Sequence, residues 1–232
     1  VVEHFTEELT RNGQIVLAAR SPEEPGAPPF WPWIQILRGY LDSIPPIDLS
    51  AFLAGLEDIA HLVPEVRPKF HSSPPPLVDP LQARFRLFDA IATCLERAAQ
   101  RTPLAVVLED IHRADEASLL LLAYITTAIP TSPLLVVTTY RDTHRNSSFA
   151  RATANLLRNP AARSLHITGL PGHDAAALLE SLAKRKLDPA VIDILYEKSG
   201  GKPFFLSQLA GQGTNCRIER AASTLPADLA DA

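Results

Sequence analysis

The sequence predicts an α/β fold: a mostly parallel sheet flanked by helices over residues 1–170, followed by a small helical lid over residues 171–232. Three observations predict it. The run Leu104-Ala105-Val106-Val107-Leu108 is continuously apolar and ends abruptly in Glu109 and Asp110, the pattern of a strand buried on both faces. Pro133-Leu134-Leu135-Val136-Val137-Thr138-Thr139-Tyr140-Arg141-Asp142 repeats that design. Helical patterns separate these strands, and alternation of this kind implies parallel pairing.

Taken in order, Val1 to Leu9 places apolar residues on one helical face, and Asn12-Gly13 stops the helix. Gln14 to Arg20 reads as a strand, and Ser21 to Pro29 as a loop rich in Pro, Glu and Gly. Phe30-Trp31-Pro32-Trp33 then opens a helix with an aromatic cluster. Such rings can stack on a nucleobase or anchor the helix to the core; the area they bury favours anchoring. Residues 44–80 are proline-rich and irregular, with a helical piece near Leu49 to Leu56. Ser73-Pro74-Pro75-Pro76 excludes both helix and central strand. Leu81 to Gln100 is an amphipathic helix with Leu81, Phe85, Phe88, Ala92, Leu95 and Ala99 on one side. After the central strand, Asp115 is placed to cap a helix over Leu119 to Ala128. Phe149 to Leu157 is a helix and Ser164 to Leu170 a further strand. From Pro171 the pattern changes to short helices over Asp174–Lys184, Pro189–Lys198 and Phe204–Gly211.

Composition narrows the function. The net charge of −4 argues against a surface devoted to nucleic acid, which needs clustered Lys and Arg. No apolar run approaches the ~18 residues of a membrane span. Cys94 and Cys216 form no disulfide framework, so a cytoplasmic setting is the default. The chain has no methionine, Val1 already lies in a helical pattern, and Pro226 to Ala232 reads as a helix beginning. Together these suggest a piece of a longer polypeptide.

The chemistry concentrates after the central strand. Adjacent carboxylates at a buried strand end are costly unless a cation compensates them, and the C-terminal ends of parallel strands are where α/β proteins bind ligands. A nucleotide-bound Mg²⁺ is one reason to place Glu109 and Asp110 there; a loop start or a helix cap is the other reading. Arg141 sits where a cation would meet a terminal phosphate, or else forms a surface pair with Asp142. His112 is either a polar residue near the phosphates or a loop hydrogen-bonder.

Pro29-Phe30-Trp31-Pro32-Trp33, Leu108 to Asp115, Thr139-Tyr140-Arg141 and Gly201-Lys202-Pro203-Phe204, in this order and spacing, resemble the nucleotide-binding domain of AAA-type ATPases of the origin-recognition-like and STAND kind. These occur in MalT-type and LuxR-type regulators and cyclase-linked signalling ATPases. The resemblance spans nearly the whole chain and implies a P-loop NTPase-like fold that uses ATP and Mg²⁺. It assigns the metal to Glu109 and Asp110, the first acid through water and the second also to the attacking water. It makes Arg141 the sensor of the γ-phosphate, and Gly201 and Pro203 the lid element whose proline packs on adenine. The family more often has Asp where Glu109 stands.

One departure is large. The phosphate loop Gly-x-x-x-x-Gly-Lys-[Ser/Thr] cradles phosphates with backbone N–H groups. The only Gly-Lys pair here is Gly201-Lys202, followed by Pro203 and preceded at the required distance by Tyr196. The sequence therefore reads as a fold lacking its first strand and phosphate loop, with both ends cut. Its expected role is an ATP-binding fragment of a signalling or transcription-regulatory protein, joined to unknown effector domains and able to self-associate. Nucleotide binding by these residues alone is expected to be weak or nil. The alternatives are a degenerate scaffold for protein contacts and, less favoured by charge, a nucleic-acid-binding regulator.

Overall fold

The computed structural model describes residues 2–23, 26–70, 79–141 and 147–211. Ser73 to Pro76, Asp142, Cys216 and the helix expected near Pro226 lie outside the described residues. The chain divides into two compact units, residues 1–163 and 164–232.

The first unit is built on a three-stranded parallel sheet in the order β1 (Ile15–Arg20), β2 (Leu104–Glu109), β3 (Leu134–Thr138). β2 is central, and Leu104 to Leu108 are all buried, as a continuous apolar run with a strand on each side should be. The register sets Arg20 opposite Glu109 and Leu108 opposite Thr138, so the three strands end together at one rim.

Helix α1 (Val2–Arg11) precedes β1 and ends at Gly13, which adopts a left-handed φ of 79°. Helix α2 (Trp31–Ser43) buries Trp33, Ile36, Leu37 and Tyr40, with Pro32 in its first turn where its missing N–H costs nothing. The helical piece expected near Leu49 starts earlier, as α3 (Pro46–Phe52), and 3₁₀ turns follow over Glu57–His61 and Pro64–Lys69. Helix α4 (Pro80–Arg101) is capped by Asp79, whose carboxylate accepts from the Leu81 N–H at 2.9 Å. Helices α5 (Glu116–Ala128) and α6 (Ser147–Leu156) complete this unit. One continuous core joins α2, α3, α4, α5 and one face of the sheet.

Two expectations need correction. Leu81 and Phe85 share the apolar side of α4 with Phe88, yet they are 68% and 60% exposed. The core beneath α4 begins at Phe88, and helical periodicity encodes a face, not how far the opposing surface extends. Ser164 to Leu170 is not a strand: residues 164–170 carry no sheet pairing, and Leu165 and Ile167 are 87% and 68% exposed. An alternating segment becomes a strand only where a neighbour supplies the ladder, and none of the described strands does.

In the second unit, α7 (Gly172–Ala183), α8 (Pro189–Ser199) and α9 (Pro203–Gly211) pack around Ala175, Leu179, Leu187, Leu195, Leu206 and Leu209. Asp188 caps α8 by accepting from the Ala190 N–H at 2.9 Å.

Candidate functional site

The central strand delivers Glu109 and Asp110, both half-buried, to the rim. Asp110 takes a left-handed conformation, φ 54° and ψ 41°. Aspartate tolerates that region better than most residues, and non-glycine backbone held there is typical of sites that must aim a side chain. The surroundings fix it: the Asp110 N–H donates to Thr139 Oγ1 at 3.1 Å, and the Ile111 N–H to the Thr139 carbonyl at 2.9 Å. The Thr139 N–H in turn donates to the Leu108 carbonyl at 3.0 Å.

The Asp110 carboxylate has a cation. Arg20 Nε donates to Asp110 Oδ2 at 2.8 Å, and Arg20 Nη2 lies 3.2 Å from Glu23 Oε1. The hydrogen bond to Asp110, then its charge, push the Arg20 guanidinium further above its ordinary value. In the sequence Arg20 is the last residue of a strand pattern, with no motif around it. The signal lay in the pairing: once β1 and β2 are parallel neighbours, their last residues meet.

Arg141 reaches the same rim from β3. Its backbone N–H donates to His112 Nδ1 at 3.4 Å, which ties the segment after β3 to the turn after β2; its side chain is exposed. The structure thus brings Glu109, Asp110 and Arg141 to one edge of the sheet. His112 is buried and acts as a hydrogen-bonder to backbone.

Asp115 is a cap, as its position suggested. Its Oδ1 accepts from the Ser118 N–H at 2.9 Å and its Oδ2 from the Phe30 N–H at 3.1 Å. It therefore joins the start of α5 to the start of α2, where Phe30 is itself left-handed at φ 65°. Trp33 is buried and donates from Nε1 to the Ser118 carbonyl at 3.1 Å, so this ring anchors the helix. Trp31 instead lines an open cavity of about 330 Å³ with Pro22, Glu23, Pro32, Arg113 and Asp115. Arg113 Nη1 donates to the Glu23 carbonyl at 3.3 Å and bridges the loops after β1 and β2.

Gly201 and Pro203 lie in the second unit, where local packing accounts for Gly201. It has φ 71°, and a Cβ there would stand 2.5 Å from the Leu170 carbonyl oxygen. A Cβ on Gly169 would stand 2.1 Å from the Gly200 carbonyl oxygen. The two backbones cross at glycines, and the Leu170 N–H donates to the Gly201 carbonyl at 2.8 Å. Pro203 opens α9 and is exposed.

A family profile described as an AAA ATPase domain matches residues 1–137. The chain belongs to the AAA ATPase domain family. The match takes in β1, β2 and the acids at the rim of the AAA sheet; Arg141, Gly201 and Pro203 lie beyond it. Neither a curated protein nor a solved structure matches the chain. Among the described residues no helix is long and apolar enough to cross a membrane, and no group of three or more His, Cys, Asp or Glu side chains is gathered as a metal cage. Mg²⁺ needs no such cage: one or two carboxylates with phosphate oxygens and water suffice. Glu109 and Asp110 are carboxylates of that donor type, and Asp110 Oδ2 accepts from Arg20 at 2.8 Å in this structure.

Proposed function

We propose that this chain is the nucleotide-responsive part of a signalling or transcription-regulatory ATPase, with the β1–β2–β3 rim facing the phosphates of MgATP. The observation that carries the reading is Asp110: a left-handed carboxylate at the end of the buried central strand, bound to a guanidinium from the neighbouring strand. In this reading Glu109 and Asp110 hold the hydrated Mg²⁺ of the nucleotide. When bound, that ion neutralises phosphate charge. Asp110 would release Arg20 to help hold the metal and would orient the attacking water. Arg141 offers a positive charge to the terminal phosphate, and the resemblance assigns Gly201 and Pro203 to the base. Effector domains of the parent protein read the change.

The test has two stages. Calorimetry with these 232 residues is expected to give weak MgATP binding, because they contain no Gly-x-x-x-x-Gly-Lys loop to supply phosphate donors; micromolar affinity would contradict the argument. In a polypeptide that joins such a loop to these residues, Glu109→Gln and Asp110→Asn are each expected to cut turnover by about a hundredfold and to leave nucleotide affinity much less changed. Equal turnover in all three proteins removes the acids from the chemistry. The second reading is a scaffold that binds no nucleotide, and it is favoured by the neutralisation of Asp110 by Arg20. It predicts no binding at either stage.

A further inference from the structure

At the opposite end of the sheet, α4 finishes in two arginines one helical turn apart, Arg97 and Arg101, just before β2 begins at Leu104. β2 has six residues, which separates this place from Asp110 by about 20 Å of extended chain. The arginines line an open cleft of about 360 Å³ with Gln100, Ala51, Phe52 and Ala54. Arg97 Nη1 donates to the Phe52 carbonyl at 2.8 Å and the Ala54 carbonyl at 2.9 Å. The Arg101 guanidinium lies over the Phe52 ring, 4.8 Å from its centre. It also weighs on Tyr40, whose hydroxyl burial pushes up and the Arg101 charge pulls down.

These contacts orient the two cations without neutralising them. No carboxylate forms an ion pair with Arg97 or Arg101 among the described residues. The carbonyl ends of α3 and α4 each offer roughly half a negative charge, which leaves net positive charge facing the cleft. Elsewhere in this unit Arg11, Arg20, Arg38 and Arg151 each have a carboxylate, while Arg67, Arg84 and Arg158 are exposed with no ion pair among the described residues; Arg97 and Arg101 differ in lining one cleft together. Guanidinium groups present planar, forked donors matched to oxyanions, and Gln100 adds an amide at the edge.

We propose that Arg97, Arg101 and Gln100 form an oxyanion-binding site, separate from the nucleotide rim, for a phosphate or carboxylate group. The site does not depend on the nucleotide reading, so the two stand or fall apart. The test uses the intact chain at low salt. Inorganic phosphate, and succinate in a parallel arm, are titrated while the Arg97 and Arg101 Nε–H signals are followed by NMR. Saturable shifts of both signals are expected, and the arm with the tighter curve identifies phosphate or carboxylate as the preferred group. Arg101→Gln is expected to weaken binding about tenfold, and Arg101→Lys to restore only part of it, because a point charge replaces a fork. No saturation with either anion would overturn the proposal. So would saturation that Arg101→Gln and Gln100→Ala leave unchanged, since both residues line the cleft and neither side chain bonds to a backbone carbonyl among the described residues.

Discussion

In the first unit the rim residues are placed by a ladder: Arg20 meets Glu109 in register, Thr139 secures the turn after β2, and a continuous core backs the whole. In the second unit there is no ladder among the described residues. Six buried side chains and a crossing of glycine backbones hold α7, α8 and α9 together. The difference shows two ways to fix a backbone. A sheet distributes the constraint over many hydrogen bonds and tolerates a polar, even strained, residue at its end. A backbone crossing concentrates it at one or two positions that admit no side chain.

Mutations separate the two modes of support. The largest effect is expected at Trp33, which is buried and bonded to Ser118. Trp33→Ala should cost about 4 kcal/mol and lower the denaturation midpoint of the first unit. A loss confined to the second unit would contradict the assignment of Trp33 to the first core. Next is Gly169→Ala, whose new methyl would fall on the Gly200 carbonyl, a backbone atom that cannot turn aside. A cost of about 3 kcal/mol should appear as faster amide exchange in α7, α8 and α9, with β2 still protected. Unchanged exchange there would mean that the crossing is not what holds the unit.

Asp115→Ala should cost about 1–2 kcal/mol, because it removes the cap of α5 and also leaves the Phe30 N–H without its partner. Asp115→Asn, which can still accept, should recover most of it; an equal loss in both variants would show that charge rather than capping matters. The smallest effect belongs to Glu180. Its hydrogen bond from Lys186 at 2.7 Å leads the causes that hold its carboxyl below 4.5. A folded value below the unfolded one stabilises the native state above pH 4.5, and that contribution disappears as pH falls through the folded value. Glu180→Gln should therefore flatten the acid limb of the second unit's stability curve and leave neutral pH nearly unchanged. An acid limb identical to the parent's would remove Glu180 from it. Cys94 adds nothing to that profile: burial pushes its thiol up to about 12.

Much of this architecture was legible in residue order. The apolar run ending at Glu109, the cap at Asp115 and the breaks before Pro189 and Pro203 are local signals, and local chemistry enforces them. The segment Ser164 to Leu170 was misread because alternation reports a chain's readiness to pair, not the presence of a neighbour. The exposure of Leu81 and Phe85 was missed for the same kind of reason. At the rim, reading along the chain points to the two acids and Arg141 but not to Arg20, because ninety residues separate it from Asp110.

The sequence by itself determined where β1, β2 and β3 lie and which helices are capped, since those choices depend on side-chain period and on backbone groups a few residues apart; packing decided that β2 is buried while Leu135 of β3 is 44% exposed. Tertiary structure alone decided that Arg20 closes on Asp110, that Gly169 and Gly201 cross, and that Arg97 and Arg101 face a cleft without a carboxylate. Each of those depends on register and packing between distant segments, and the energy of a contact exists only once the fold has brought its partners within reach.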